Sequence, residues 1–184
     1  MANKNDSPNL IWVDCEMTGL DLDKDVLVEI AVLVTDAQLN ILGEGVDLVI
    51  KASADEIAGM NDFVREMHTA SGLITEIPNG VSHAEAEEKI LEYLAKYAPD
   101  AGKSPLAGNS VYVDRAFIAK YLPNFNTYLH YRTVDVSSIK ELARRWYPRI
   151  YFAAPKKTGN HRALGDIRDS IEELEYYRTN IFVP

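Results

Sequence analysis

Asp14 and Glu16 stand two residues apart in the stretch Val13-Asp14-Cys15-Glu16-Met17. Side chains two apart on a strand share a face, so a strand through this stretch points both carboxylates the same way. The residues before them, Leu10-Ile11-Trp12-Val13, suit burial. Two acids at the end of a buried strand repel each other and resist desolvation. A divalent cation relieves both problems, because Mg²⁺ and Mn²⁺ prefer carboxylate oxygens and keep positions open for a substrate phosphate. A strand that merely emerges into water at Asp14 would also account for the pair, and the spacing alone does not choose.

Further residues bear on that choice. Asp114 follows a short Leu-Ala-Gly-Asn segment at the start of a predicted helix, where a single acid would simply favour the helix dipole. Asp166 comes five residues after His161, and both can look toward the same side of a helix start. An imidazole with its ordinary pKa near 6.5 can accept a proton at neutral pH. Glu29 lies inside an apolar run and reads as a structural acid with a partner. Cys15 points away from its two acidic neighbours and reads as core.

The elements that must position these groups follow from periodicity. Strands are predicted over 9–16, 26–35 and 45–51, joined closely enough to form an antiparallel meander. Ser82 with Glu85 forms a capping box opening a helix with Ile90, Leu91, Leu94, Ala95 and Ala98 on its apolar positions. A short strand over 105–108, a helix over 113–122, a β segment over 132–136 and a helix over 137–147 follow. Residues 148–160 read as a loop and 161–180 as a closing helix. Strands first, then strand–helix alternation, predict an α/β fold with a mixed central sheet flanked by helices, as a single domain over 1–184.

Composition narrows the function classes. The 184 residues carry a net charge of −9 and one cysteine. No internal disulfide can form, no apolar leader is evident, and no run of about 18 apolar residues occurs. A cytoplasmic protein is expected. Its acidity argues against strong binding of long nucleic acid, which depends on Lys and Arg releasing counterions. Lys140, Arg144, Arg145, Arg149, Lys156, Lys157, Arg162 and Arg168 nevertheless crowd one segment, against only Glu141 and Asp166. They are either a solvated surface or a local phosphate-attracting rim.

The ordered set Asp14, Glu16, Asp114, His161 and Asp166 resembles the DEDDh exonucleases, which have the ribonuclease H-like fold. The longer stretches Trp-Val-Asp-Cys-Glu-Met-Thr-Gly-Leu (12–20), Gly-Asn-Ser-Val (108–111), Tyr-Arg-Thr-Val-Asp-Val-Ser-Ser-Ile-Lys-Glu-Leu (131–142) and Gly-Asn-His-Arg-Ala-Leu-Gly-Asp-Ile (159–167) are similar to the oligoribonuclease family within that group. The C-terminal Tyr-Tyr-Arg (176–178) fits as well. This resemblance implies a 3′-to-5′ exoribonuclease acting on very short oligoribonucleotides. It implies two divalent cations, Mg²⁺ or Mn²⁺, held by Asp14, Glu16, Asp114 and Asp166, with His161 as general base. It also implies that Leu20 and Phe63 sandwich bases, that His68, Ser110, Arg132 and Ser137 contact the 5′ phosphate, and that Tyr131 approaches from the partner subunit of a homodimer. Two positions depart from the family pattern: Phe63 stands where Trp is usual, and Gly165 precedes the last aspartate. A broader exonuclease on longer RNA or DNA ends, and a catalytically silent nucleic-acid-binding domain, are the competing readings.

Overall fold

The computed structural model describes residues 7–155 and 162–182. Its central strand is set by alternation. In β1 (Leu10–Met17), Ile11, Val13 and Cys15 face one way, while Trp12, Asp14 and Glu16 face the other. Strand β2 (Leu27–Thr35) is buried at every residue, as a strand covered on both faces requires. Strand β3 (Ile41–Val49) completes an antiparallel meander. Strands β4 (Leu106–Gly108) and β5 (Thr133–Asp135) add in parallel on the other side of β1. The order β3-β2-β1-β4-β5 makes a mixed five-stranded sheet with β1 at its centre.

Strand β3 begins four residues before the predicted start, and the reason is local. Gly43 and Gly45 interrupt the apolar alternation and take φ of +76° and +87°. A Cβ at Gly43 would lie 2.6 Å from the ring of Tyr97, so the close approach also demands glycine.

Between β3 and β4 the chain forms four helices: α1 (Ala54–Ala58), α2 (Asp62–Ala70), α3 (Leu73–Glu76) and α4 (His83–Tyr97). A 3-10 turn, Ile77–Asn79, sits between the last two. Helices α5 (Tyr112–Tyr121) and α6 (Pro123–Tyr128) lie between β4 and β5. Three more follow β5: α7 (Val136–Trp146), α8 (Pro148–Phe152) and α9 (Ala163–Asn180). Helix α8 occupies part of the segment predicted as loop, because Pro148 can start a helix at no cost to hydrogen bonding.

Each face of the sheet has its own core. Ile11, Val13 and Cys15 pack with Ile30 and Val32 against Ile90, Leu94, Phe117 and Phe125, from α4, α5 and α6. Trp12 packs with Ala31 and Leu33 against Ile167, Ile171 and Tyr177 of α9 and Ala143 of α7. A third cluster, with Val28, Met60, Leu73 and Ile77, fixes the short helices after β3. Asp14 and Glu16 therefore leave β1 on the face covered by α9. Among the described residues, no helix is long and apolar enough to cross a membrane.

Gly165 lies in the first turn of α9, and no atom lies within 4 Å of the place a Cβ would take. Its φ is not in the left-handed region. Gly165→Ala should therefore fit and remove conformational freedom from the unfolded chain, adding about 0.5–1 kcal/mol. The expected rise in Tm is about 1–4 °C. A lower melting temperature would show that this turn requires glycine.

Candidate active site

The acids converge because two elements end at the same place. Asp14 and Glu16 project from the end of β1, and Asp166 from the first turn of α9. One oxygen from each lies within 4.8 Å of the other two. Glu16 is only 8 % exposed, so this cluster is set into the protein. Asp114, in the first turn of α5, is also buried. Its Oδ1 accepts the backbone N–H of Cys15 at 2.9 Å. It is thus held against β1 between the two strand acids, adjacent to the three-residue cluster. Cys15 faces the opposite core, and burial with the charge of Asp114 pushes its thiol well above the usual range. It is not poised as a nucleophile.

Burial, with crowding second, raises the pKa of Glu16, and burial raises that of Asp114. Burial is the chief cause for Glu16, followed by the negative charges of Glu29, Asp166 and Asp114, and its pKa is pushed up to about 8. Asp114 is pushed up to about 6 by burial, against the hydrogen bonds it accepts. Such a site favours a cation, since hard divalent ions take oxygen ligands and neutralise the crowding. The donor set fits divalent metal use.

Glu29 is the cross-strand neighbour of Glu16 and is fully buried. It has the partner a buried acid needs. Arg162 donates from Nε to Glu29 at 2.8 Å and holds Glu76 with its other two nitrogens at 3.0 and 3.1 Å. The backbone N–H of Ala163 also donates to Glu29, at 3.3 Å. Arg162 is the N-cap of α9 and makes no side-chain cap itself, so an acid from β2 caps that helix. Sequence reading placed Arg162 in the basic segment and gave Glu29 a partner without joining the two, though an acid inside an apolar run calls for a cation nearby.

His161 lies outside the described residues, as do Lys156 and Lys157. His68, grouped by resemblance with the phosphate contacts, is fully buried beside the acids. Its Nε2 donates to the carbonyl of Met17 at 2.9 Å, and its Nδ1 is 3.8 Å from Glu16. Four of the six described residues of the basic segment hold carboxylates, and Lys140, Arg144 and Arg145 do so through exposed side chains. Arg144 and Arg145 both hold Glu141, Lys140 holds Glu173, and Arg162 is committed as above.

The remaining predicted residues form two exposed features. Leu20 and Phe63 are 74 % and 75 % exposed, unusual for large apolar side chains. Leu20 is held out by a tight turn. Thr18 Oγ1 donates to Asp25 at 3.0 Å, the N–H of Asp21 donates to the other carboxylate oxygen at 2.9 Å, and a Cβ on Gly19 would collide with that carboxylate. The second feature is a serine pair. Ser110 and Ser137 have hydroxyl oxygens 3.1 Å apart, and both backbone N–H groups donate to Asp135 Oδ1. Ser110 has φ +52°, a strained conformation for a side-chain-bearing residue. Nearby in sequence, Arg132 lies over the ring of Tyr131, which is 73 % exposed.

The exonuclease family model RNase_T matches residues 11–174. The oligoribonuclease of Leifsonia xyli subsp. xyli is 62% identical over 183 residues, covering 100% of this chain and 87% of the relative. That of Mycobacterium tuberculosis is 57% identical, covering 95% of this chain and 82% of the relative. Among solved structures, exonuclease I aligns with a TM-score of 0.72 at 16% identity over 94% of this chain. E. coli exonuclease I in complex with an oligonucleotide aligns with a TM-score of 0.71 at 14% identity. The chain spans 41% of those two exonuclease I chains, and the likeness is one of fold.

The proton on Glu16 yields a pH test. In the unfolded chain a glutamate ionises near 4.5, whereas folded metal-free Glu16 holds its proton to about 8. Between those values the folded form binds more protons, so this group's stabilisation is lost as pH rises. A cation competes with that proton, so Mn²⁺ should raise the Tm of metal-free protein more at pH 8 than at pH 6. Equal shifts, or a larger one at pH 6, would contradict the assigned site.

Proposed function

The chain belongs to the exonuclease family, in its oligoribonuclease group, and we propose that it degrades very short oligoribonucleotides to mononucleotides from the 3′ end. It is a nuclease, hydrolysing phosphodiesters. The observation that carries the reading is the partly buried carboxylate cluster of Asp14, Glu16 and Asp166, beside buried Asp114, on the family's own framework. These four acids would hold two divalent cations, Mg²⁺ or Mn²⁺. When bound, such ions activate water and stabilise the leaving 3′ oxygen.

The chain's own groups do the rest. His161 would take the proton of the attacking water, a role resting on the family resemblance of its motif with Asp166. Leu20 and Phe63 offer exposed faces on which bases can stack, and Phe63 supplies less area than Trp would. Ser110 and Ser137, with Arg132, would receive the 5′ phosphate at the other end of the strand. The net charge of −9, with Lys140, Arg144 and Arg145 each already holding a carboxylate, supports a short substrate over a long one.

A homodimer with Tyr131 reaching the partner's site fits that side chain's exposure. Leu142, Trp146, Tyr147 and Phe182 are also exposed, and all four line one apolar groove around α7. A second copy would cover it, two-fold pairing being the commonest assembly. One exonuclease domain acting in the cytoplasm completes the reading.

End-labelled RNAs of two to about ten nucleotides, with Mg²⁺ or EDTA, test the proposal. Asp14→Asn, Asp114→Asn and Asp166→Asn should each lower kcat by at least about a hundredfold without unfolding the chain. His161→Ala should lower it about 10²–10⁴-fold and flatten the rise of activity with pH. Near wild-type rates in two of the acid variants would overturn the site. A ladder that runs equally fast on long strands would point instead to a broader exonuclease.

Sedimentation at low micromolar concentration should find a dimer, and Trp146→Glu should yield monomers. A wild-type monomer with full activity would remove Tyr131 from the site.

A further inference from the structure

A continuous run of hydrogen bonds joins the serine pair to the helix that carries Asp166, and it passes through one side chain. On α9, Ser170 Oγ donates to the backbone carbonyl of Asp166 at 2.7 Å. Asn109 Nδ2 donates to Ser170 Oγ at 2.6 Å and reaches Glu173 at 3.5 Å. Ser137 Oγ donates to Asn109 Oδ1 at 3.0 Å. Ser137 and Ser110 then meet hydroxyl to hydroxyl.

Chemistry fixes the direction of the run. The proton of Ser170 goes to a carbonyl, so its oxygen can only accept from Asn109, and the Glu173 carboxylate accepts as well. The amide nitrogen must therefore face α9 and the amide oxygen must face the serines. Ser137 gives its proton to that oxygen. Ser110 is then the member of the pair whose proton can turn to an incoming phosphate oxygen. Both ends of the run are anchored. Ser170 and Glu173 are 3 % and 4 % exposed, and Glu173 also receives Lys140 and the Tyr177 hydroxyl. At the other end Asp135 clamps both serine backbones.

Asn109 directly follows β4, Ser137 lies at the start of α7, and Ser170 is on α9. Three elements are therefore tied at one amide. We propose that Asn109 is a positioning residue for substrate length: it locks the serine pair to the helix bearing Asp166, so the span between the acid cluster and the phosphate stop is fixed. A strand that bridges the span satisfies both ends, and a longer one loses the stop. This rests on the serine pair being the 5′ phosphate stop, as proposed above.

The test compares 5′-phosphorylated RNAs of two and five nucleotides in Mg²⁺, on the whole protein. In the wild type, kcat/KM should favour the dinucleotide, and removing its 5′ phosphate should raise KM. Asn109→Ala should lower the dinucleotide-to-pentanucleotide ratio about tenfold, through KM for the dinucleotide more than through kcat. Asn109→Asp keeps the acceptor for Ser137 but cannot donate to Ser170 and sets a charge against Glu173, so it should lower the ratio too. Ser170→Ala removes the far bond alone and should move the ratio in the same direction by a smaller factor. It decides the matter should either Asn109 variant fail to fold. A wild type indifferent to length and to the 5′ phosphate would overturn the stop and this inference with it. A selective wild type whose ratio survives in the variants, or whose rates fall equally on both substrates, would overturn the role of Asn109 alone.

Discussion

Carboxylates crowded at the end of a buried strand are short of water and repel one another. The architecture around Asp14 and Glu16 is organised by that conflict. Strand β1 has neighbours on both sides and helices on both faces, so it cannot swing the two acids out into solvent. Alternation along the strand sends them to the α9 face, where Asp166 adds a third acid, and Asp114 stands close by on a backbone amide. The arrangement is costly until positive charge arrives, which is what gives a nuclease site its demand for cations.

One positive charge is already built in. Arg162 sits between Glu29 and Glu76 and opposes the upward pull on the Glu16 pKa. Pairing Arg162 with a fully buried acid fixes the start of α9, and hence the turn that carries Asp166. Removing one partner of such a pair would leave the other charge stranded in the interior. In the basic segment Lys140, Arg144 and Arg145 likewise hold carboxylates of their own chain.

Much of this was legible in the residues. The antiparallel meander, the strands before α5 and α7, and the Ser82 cap of α4 followed from patterns that repeat over enough residues to be read. The short helices after β3 did not, because five- and four-residue helices show no period. Their only signal was capping: Ser53 with Glu56, and Asn61 accepting from Val64. The cluster of Asp14, Glu16 and Asp166 was legible through the family pattern that their order resembles. The burial of His68 was not, since a histidine on a short amphipathic helix carries no mark of which way it points. Nor were the pairs Lys140–Glu173 and Arg162–Glu29, because those partners are set by tertiary contact, whereas Glu141 with Arg144 and Arg145 lie three and four apart on one helix. Asn109 was invisible for the same reason: its neighbours come from elements 28 and 61 residues away.

The sheet has two open margins, and β3 is the longer of them. An exposed strand of nine residues next to so apolar a neighbour as β2 would ordinarily invite another chain to pair with it. Here Gly43 and Gly45 turn the backbone into left-handed conformations, and the register with β2 shifts between Val32 and Val34. Glu44 and Asp47 add negative charge along the same stretch. The ladder of amides and carbonyls is thereby broken before it can serve as a template. Glycines that first look like defects in a strand thus leave this edge a poor template for another chain.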